Sequence, residues 1–573
     1  MTEGMTEGMT EDVLRAPAVK PKVGRDDWTM RAFIGVIGLY LVITLAFPLY
    51  AMMSKSVRDN DGAFVGLANY IDYFATPALT WSIGNSLQVA TITTLITVTI
   101  AFTFAYALTR SCIPLKGLFQ SITMIPILVP SLLPGIALVY LFGTQGLIKE
   151  LLFGYSIYGP IGIVIAEVFF TLPHAIIILI TSLSIADARL YEAAVALRAS
   201  RLRIFLTVTL PGCRYGLISA AFVVFTLAIT DFGAPKVIGG DFNVLATDIY
   251  KQVIGQQNFE MGAVVSVVLL IPAVLAFAID RVVQRRQVAL LSSRAVTLEP
   301  GPNRGFDAVM LGFCVLVSVF LIGMLGVCQF AALVKFYPYD LSLSLKNYNF
   351  DVMDGGGWGS YWNSIRMATY TAVFGTVVVF SGAYLVEKGR GFRAGRTLFQ
   401  LLAMMPMAVP GLVLGLAYIF FFNHPNNPLG FLYHTMAILV ISTIVHFYTV
   451  AHLTAVTALK QMDPEFESVG ASLKAPFYRT FRRVTVPVCL PAILDIMIYL
   501  FVNAMTTVSA VVFIYGPDTN LASVAVLNMD DAGDIAPAAA MGMMIFYTAA
   551  SVRLAHFLVS RYLKRRTQAW RIR

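Results

Sequence analysis

Apolar runs of about twenty residues recur along the chain, each closed by a short polar stretch rich in Arg, Lys, Gly or Pro. A helix of that length crosses the hydrocarbon core of a bilayer. The pattern predicts about twelve spans, near 31–53, 85–108, 118–143, 158–181, 214–231, 262–280, 307–334, 364–386, 398–422, 434–456, 490–514 and 536–560. Several contain Pro and Gly, as in Met124–Gly135 and Met404–Gly415. Membrane helices tolerate these where neighbours satisfy the freed backbone groups. The expected fold class is all-α integral membrane.

Composition agrees. Of 573 residues, 58% are hydrophobic and only 13% charged, and mean hydropathy is +0.75. That is too little charge to cover a soluble domain. The net charge of +9 does not indicate a nucleic-acid binder, because Lys and Arg punctuate apolar spans rather than cluster on polar helices. Five cysteines, Cys112, Cys213, Cys314, Cys328 and Cys489, fit neither a zinc nor a disulfide spacing. The start, MTEGMTEGMTEDV, is a polar repeat expected to be disordered, without the features of a signal peptide.

Charge placement sets the expected orientation. With the N-terminus in the cytoplasm and alternating spans, about 32 Lys and Arg fall inside and 7 outside. The positive-inside rule then places both termini in the cytoplasm.

The chain also repeats itself. NSLQVAT from Asn85 is answered by NSIRMAT from Asn363. Pro126, Pro130 and Gly135 are answered 280 positions on by Pro406, Pro410 and Gly415. Asp187 and Pro211 are answered 276 positions on by Asp463 and Pro487. Two copies of one six-helix unit follow, in the same orientation because the span number is even. The expected layout is a disordered cytoplasmic segment 1–30, a first repeat 31–283, a cytoplasmic linker 284–306, a second repeat 307–563 and a basic tail 564–573.

Between the fourth and fifth spans lies LYEAAVALRASRLRIFLTVTLPG, Leu190 to Gly212, too polar to cross a membrane. Asp187 is a good N-cap, the alanines favour helix, Ser200 is a break, and Leu210-Pro211 closes a second short amphipathic stretch. An interfacial loop hugging headgroups is one reading. Its recurrence in the second repeat favours a paired docking element.

Glu192-Ala193-Ala194, followed at family spacing by Arg198-Ala199-Ser200, Val208, Leu210 and Pro211, resembles the coupling loop of permease subunits of binding-protein-dependent ABC importers. Arg198 stands where that family has Gly. In the second repeat Ser468, Val469 and Gly470 fall on the Glu-Ala-Ala positions, Glu467 sits one residue early, and Lys474 takes the Gly place before Pro487. The resemblance covers nearly the whole chain and implies a type I permease fold in a multi-pass inner-membrane protein. It also implies two separate ATPase subunits docked on these loops, a periplasmic substrate-binding protein, and contact with membrane lipid. The chain carries no Gly-x-x-x-x-Gly-Lys-Ser/Thr signature, so ATP is expected on the partner subunits, with no cofactor and no enzymatic activity of its own.

Charged and polar groups inside spans are candidates for the substrate path. They are Glu167, Asp231 with its repeat mate Thr507, and Asn503. A local pair of Asp231 with Lys236 is expected, and packing roles for His446 and His452. Asp495 is expected to pair or snorkel. The segment 230–262 resembles 2-aminoethylphosphonate permeases, which makes that solute the first expected cargo. Ferric iron, thiamine and polyamines are the alternatives. A major-facilitator-type secondary transporter also has two six-helix halves, but it needs no long helical loops after the fourth and tenth spans. A membrane enzyme needs a cluster of ligands or acid–base groups, and the histidines form none.

Overall fold

The computed structural model describes residues 24–289, 298–389, 391–463 and 465–567. The first half runs α1 (Arg25–Lys55), α2 (Pro77–Arg110), α3 (Lys116–Leu128), α4 (Leu132–Phe142), α5 (Pro160–Ser184), α6 (Ala188–Ala196), α7 (Arg201–Thr230), α8 (Gly233–Ile238), α9 (Leu245–Tyr250) and α10 (Phe259–Ala289). The second half opens with α11 (Arg304–Leu333) and an antiparallel hairpin, β1 (Val334–Phe336) and β2 (Asp340–Leu343), in which Val334 faces Leu343. It continues as α12 (Gly357–Lys388), α13 (Arg393–Ala408), α14 (Gly411–Phe422), α15 (Met436–His446), α16 (Tyr448–Lys460) and α17 (Glu465–Ser472). It closes with α18 (Phe477–Val488), α19 (Leu490–Thr506), α20 (Ala522–Asp531) and α21 (Ile535–Thr567).

Among the described residues, eight helices are long and apolar enough to span a membrane, or up to twelve if each bent pair is one span. Three bent pairs break the expected spans 118–143, 398–422 and 434–456, and the fourth bends just before the expected span 490–514. They turn by 100° between α3 and α4, 113° between α13 and α14, 56° between α15 and α16, and 77° between α18 and α19. Proline explains the first two: Pro130 and Pro410 sit at the breaks, lacking an N–H and excluding the preceding residue from helix. Val129 and Val409, just before them, are extended.

Helix ends also differ from the expected boundaries. Helix α1 starts at Arg25, so 24–30 is ordered, α10 runs to Ala289 into the expected linker, and α21 runs to Thr567. Residues 1–23, 290–297 and 568–573 lie outside the described residues.

The two halves interlock. In each, a long helix (α2 or α12) packs against the later spans of its own half, α5 and α7 or α16 and α19. The leading helix of each half crosses to the other: α1 packs on α13 and α14, and α11 on α3 and α4. Polar contacts fasten the crossings. Asp26 accepts from the Phe477 N–H (3.2 Å), and Asp307 accepts from the Cys112 N–H (2.9 Å). At the opposite face the repeated Asn-Ser pair does one job twice. Asn85 donates to the Asn243 carbonyl and Asn363 to the Asn520 carbonyl, while Ser86 and Ser364 accept the first N–H of α9 and α20.

Close approach within the core depends on one Gly–Ser exchange. A Cβ on Gly233 would collide with Ser131, and a Cβ on Gly411 would collide with Ser509. Ser131 and Gly411 are repeat mates 280 apart, and Gly233 and Ser509 are mates 276 apart. The halves therefore solve one contact with the two residues swapped. Gly411→Ser alone is expected to cost about 1–3 kcal/mol from overpacking. Adding Ser509→Gly, which reproduces the first-half arrangement, should recover most of the loss. Thermal unfolding of the purified protein in detergent measures both.

Candidate coupling loops and translocation path

The first loop is built from a capped and closed helix. Asp187 is the N-cap of α6, accepting the Arg189 N–H (3.1 Å) and pairing with its guanidinium (2.9 Å). Glu192 and Ala193 face outward and Ala194 is half-buried. At the other end the Arg198 N–H reaches the Val195 carbonyl (2.9 Å) and the Ala199 N–H reaches the Ala194 carbonyl (3.0 Å). These two bonds form a Schellman closure, which needs a left-handed residue at its turn. Arg198 takes that conformation at φ 53°. Ser200 then caps α7 through the Arg203 N–H (3.3 Å). Leu197 stands at the tip, 83% exposed.

The second loop repeats the design. Asp463 accepts the Glu465 N–H (2.9 Å), and the Ala475 N–H closes on the Gly470 carbonyl (3.0 Å). Lys474 is left-handed at φ 51°, and Leu473 at the tip is 75% exposed. Gly470 lets α17 lie against α18: a Cβ there would sit 2.9 Å from the Thr480 hydroxyl. The two departures from Gly therefore leave the turn geometry intact.

The prolines behave differently from expectation. Pro211 does not end a helix. A π turn at Phe205–Thr209 precedes it, and α7 runs on to Thr230. The wider turn absorbs the missing N–H and the ring. Pro487 follows an equivalent π turn at Phe481–Thr485, but there the helix bends at Cys489. A second proline, Pro491, stands where the first half has Tyr215.

Of the path candidates, Glu167 and Asp231 meet and the others do not join them. Glu167 is fully buried on α5, and its carboxyl faces that of Asp231 with the Ser131 hydroxyl beside it. Neither Glu167 oxygen has a hydrogen-bond donor among the described residues. Asp231 also caps α8 through the Ala234 N–H (2.9 Å). Thr507 ends α19, its carbonyl accepting from Ser523 (2.6 Å), and Asn503 donates to the Tyr499 carbonyl one turn earlier (2.8 Å). The expected Asp231–Lys236 pair is replaced: Lys236 reaches Asp531 of the second half (2.8 Å) and lies over Tyr250. His452 packs between Phe399 and Tyr448, His446 meets Phe447 edge-on, and Asp495 pairs with His556 (3.2 Å).

Sequence reading missed several polar residues. Arg110 lies over the Tyr191 ring, and Lys388 lies 3.4 Å from Glu467. Only the repeat register, which sets Tyr191 against Glu467, could have signalled them. Asp248 on α9 lines a polar cavity of about 290 Å³ with Lys251, Gln252 and Asn258, and burial pushes its carboxyl up to about 6.

Left-handed backbone costs a residue with a Cβ about 1–2 kcal/mol. Arg198→Gly and Lys474→Gly are therefore each expected to strengthen the loop, read as slower amide exchange at Ala199 and Ala475 with the fold unchanged. Arg198→Val should speed exchange at Ala199.

The family described as "Binding-protein-dependent transport system inner membrane component" matches residues 97–288 and 379–565, one segment in each half. The ferric transport system permease protein FbpB of Actinobacillus pleuropneumoniae is 29% identical over 540 residues, 91% of this chain and 76% of its own length. The Fe(3+)-transport system permease protein FbpB 2 of Haemophilus influenzae is 22% identical over 513 residues, 88% of this chain and 94% of its own. A chloroplastic sulfate permease of Chlamydomonas reinhardtii is 26% identical over 219 residues, 38% of this chain and 58% of its own. Proteins of this kind are multi-pass inner-membrane permeases of ABC importers, not enzymes, and work with an ATPase and a periplasmic binding protein. With both halves matched over more than half its length, the chain belongs to the family of binding-protein-dependent transport system inner membrane components.

Proposed function

We propose that this chain is the fused permease core of an ATP-driven importer of ferric iron, which a periplasmic binding protein delivers and the permease passes to the cytoplasm. The likeness to a ferric transport permease over 91% of the chain carries the cargo reading. It outweighs the likeness of the short segment 230–262 to 2-aminoethylphosphonate permeases. Hard cations favour oxygen ligands, and Glu167, Asp231 and Ser131 supply an oxygen-rich point inside the first half. At the positions of Glu167 and Asp231 the second half has Thr443 and Thr507, so the path is one-sided in charge.

Two coupling loops imply two ATPase subunits, one per loop. The positive-inside distribution supports a cytoplasmic setting for the loops, the N-terminus and the C-terminus. The first loop presents Glu192 outward, whereas the second has Ser468 at that position. The docking surfaces are therefore unequal, and the first carries more of the charge complementarity.

Uptake into proteoliposomes containing the chain, its ATPase and its loaded binding protein tests the cargo. Labelled ferric iron should accumulate with ATP. Accumulation of labelled 2-aminoethylphosphonate with none of iron would refute the assignment. Glu192→Lys should lower ATP-driven uptake by about ten-fold or more, since a reversed interface charge costs several kcal/mol, with membrane insertion unchanged.

A further inference from the structure

Each coupling loop is fastened to the end of a long membrane helix by a two-part lock, and we infer that these locks carry the loop's displacement into the bilayer. This rests on the docking reading above.

The first part is the same in both halves. Phe205, in the π turn after the first loop, meets Phe102 at 6.0 Å and Tyr106 at 5.8 Å on α2. Phe481, in the matching π turn, meets Phe380 at 6.0 Å and Tyr384 at 4.7 Å on α12. The α2 and α12 residues are 278 positions apart and the two loop phenylalanines 276 apart, so the contact is a repeated feature. Aromatic pairs of this kind stabilise a contact beyond the area they bury.

The second part keeps its geometry and changes its chemistry. Arg110, at the last turn of α2, sits over the Tyr191 ring at 5.3 Å and donates to the Leu183 carbonyl (2.8 Å) and the Tyr191 hydroxyl (3.4 Å). Tyr191 in turn donates to the buried Thr209 hydroxyl (3.0 Å). In the second half Lys388 replaces Arg110 at the last turn of α12, and Glu467 replaces Tyr191. They form an ion pair at 3.4 Å without hydrogen-bond alignment, shielded from solvent on both sides. Glu467 is thus turned inward and away from the docking face. A cation–π contact and an ion pair both hold a basic helix end to the coupling helix. Lys388, Glu467, Arg110 and Tyr191 act as positioning residues. They join the loop to the helix that packs against the rest of each half.

The test uses the complex with its ATPase and reads cargo imported per ATP hydrolysed. Lys388→Ala and Glu467→Ala should keep the ATPase bound and hydrolysing while import per ATP falls about five-fold, in the range found for coupling residues. The exchange Lys388→Glu with Glu467→Lys should restore most of that ratio. So should Lys388→Arg with Glu467→Tyr, which installs the first half's pair. In the first half, Tyr191→Phe keeps the ring and should leave the ratio nearly unchanged, whereas Tyr191→Ala should lower it. An unchanged ratio in Lys388→Ala and Tyr191→Ala, or exchanged pairs that bind ATPase but do not recover, would overturn the inference. A wild-type chain that fails to bind the ATPase would instead refute the docking reading beneath it.

Discussion

Hydrocarbon offers no hydrogen bonds, and nearly every element of this chain answers to that constraint. Backbone groups in the bilayer must be satisfied within helices or by protein neighbours. Where a helix is broken, as at Pro130 and Pro410, the break lies in a close approach between elements of one half, lined by Ser131 and Gly233 or by Gly411 and Ser509. Where polar sequence is needed it is pushed to the faces, and the coupling loops are its most organised form. Their helices are capped by Asp187 and Asp463 and closed by left-handed Arg198 and Lys474.

Interlocking makes the two halves one machine. Because α1 packs on the second half and α11 on the first, neither half can tilt without moving the other's leading helix. Asp26, which accepts the N–H of Phe477 at the start of α18, ties α1 directly to the second loop region. Lys236 and Asp531 tie the halves together again on the other side of the first half. A fused chain suits this arrangement, since the crossings are built in covalently rather than assembled from two subunits.

The sequence made the membrane class, the span count and the doubled architecture legible, because twenty-residue apolar runs and fixed repeat offsets are physical signals that survive without coordinates. It did not reveal which spans bend. Pro173 sits inside an unbroken α5, while α15 and α16 part at Phe447 without a proline, so proline alone does not decide. Packing does. The coupling-loop proposal rests on the resemblance carried by Glu192-Ala193-Ala194, and Arg198 and Lys474, which stand where that family has Gly, hold the left-handed closing turn. Glu467 looked like a displaced copy of Glu192. Its mate in the repeat is Tyr191, set by the 276-residue offset; that both side chains turn inward onto a basic helix end shows only in the packing.

Entry of force at α6 and α17, as proposed, can be read from the separation of their tips. Spin labels at the exposed tips Leu197 and Leu473, in a chain with Cys112 replaced, report their separation directly. The distance between them should shorten when ATP closes the bound ATPase subunits and lengthen again after hydrolysis. A separation that stays constant through ATP-driven import would rule out force entry at these helices.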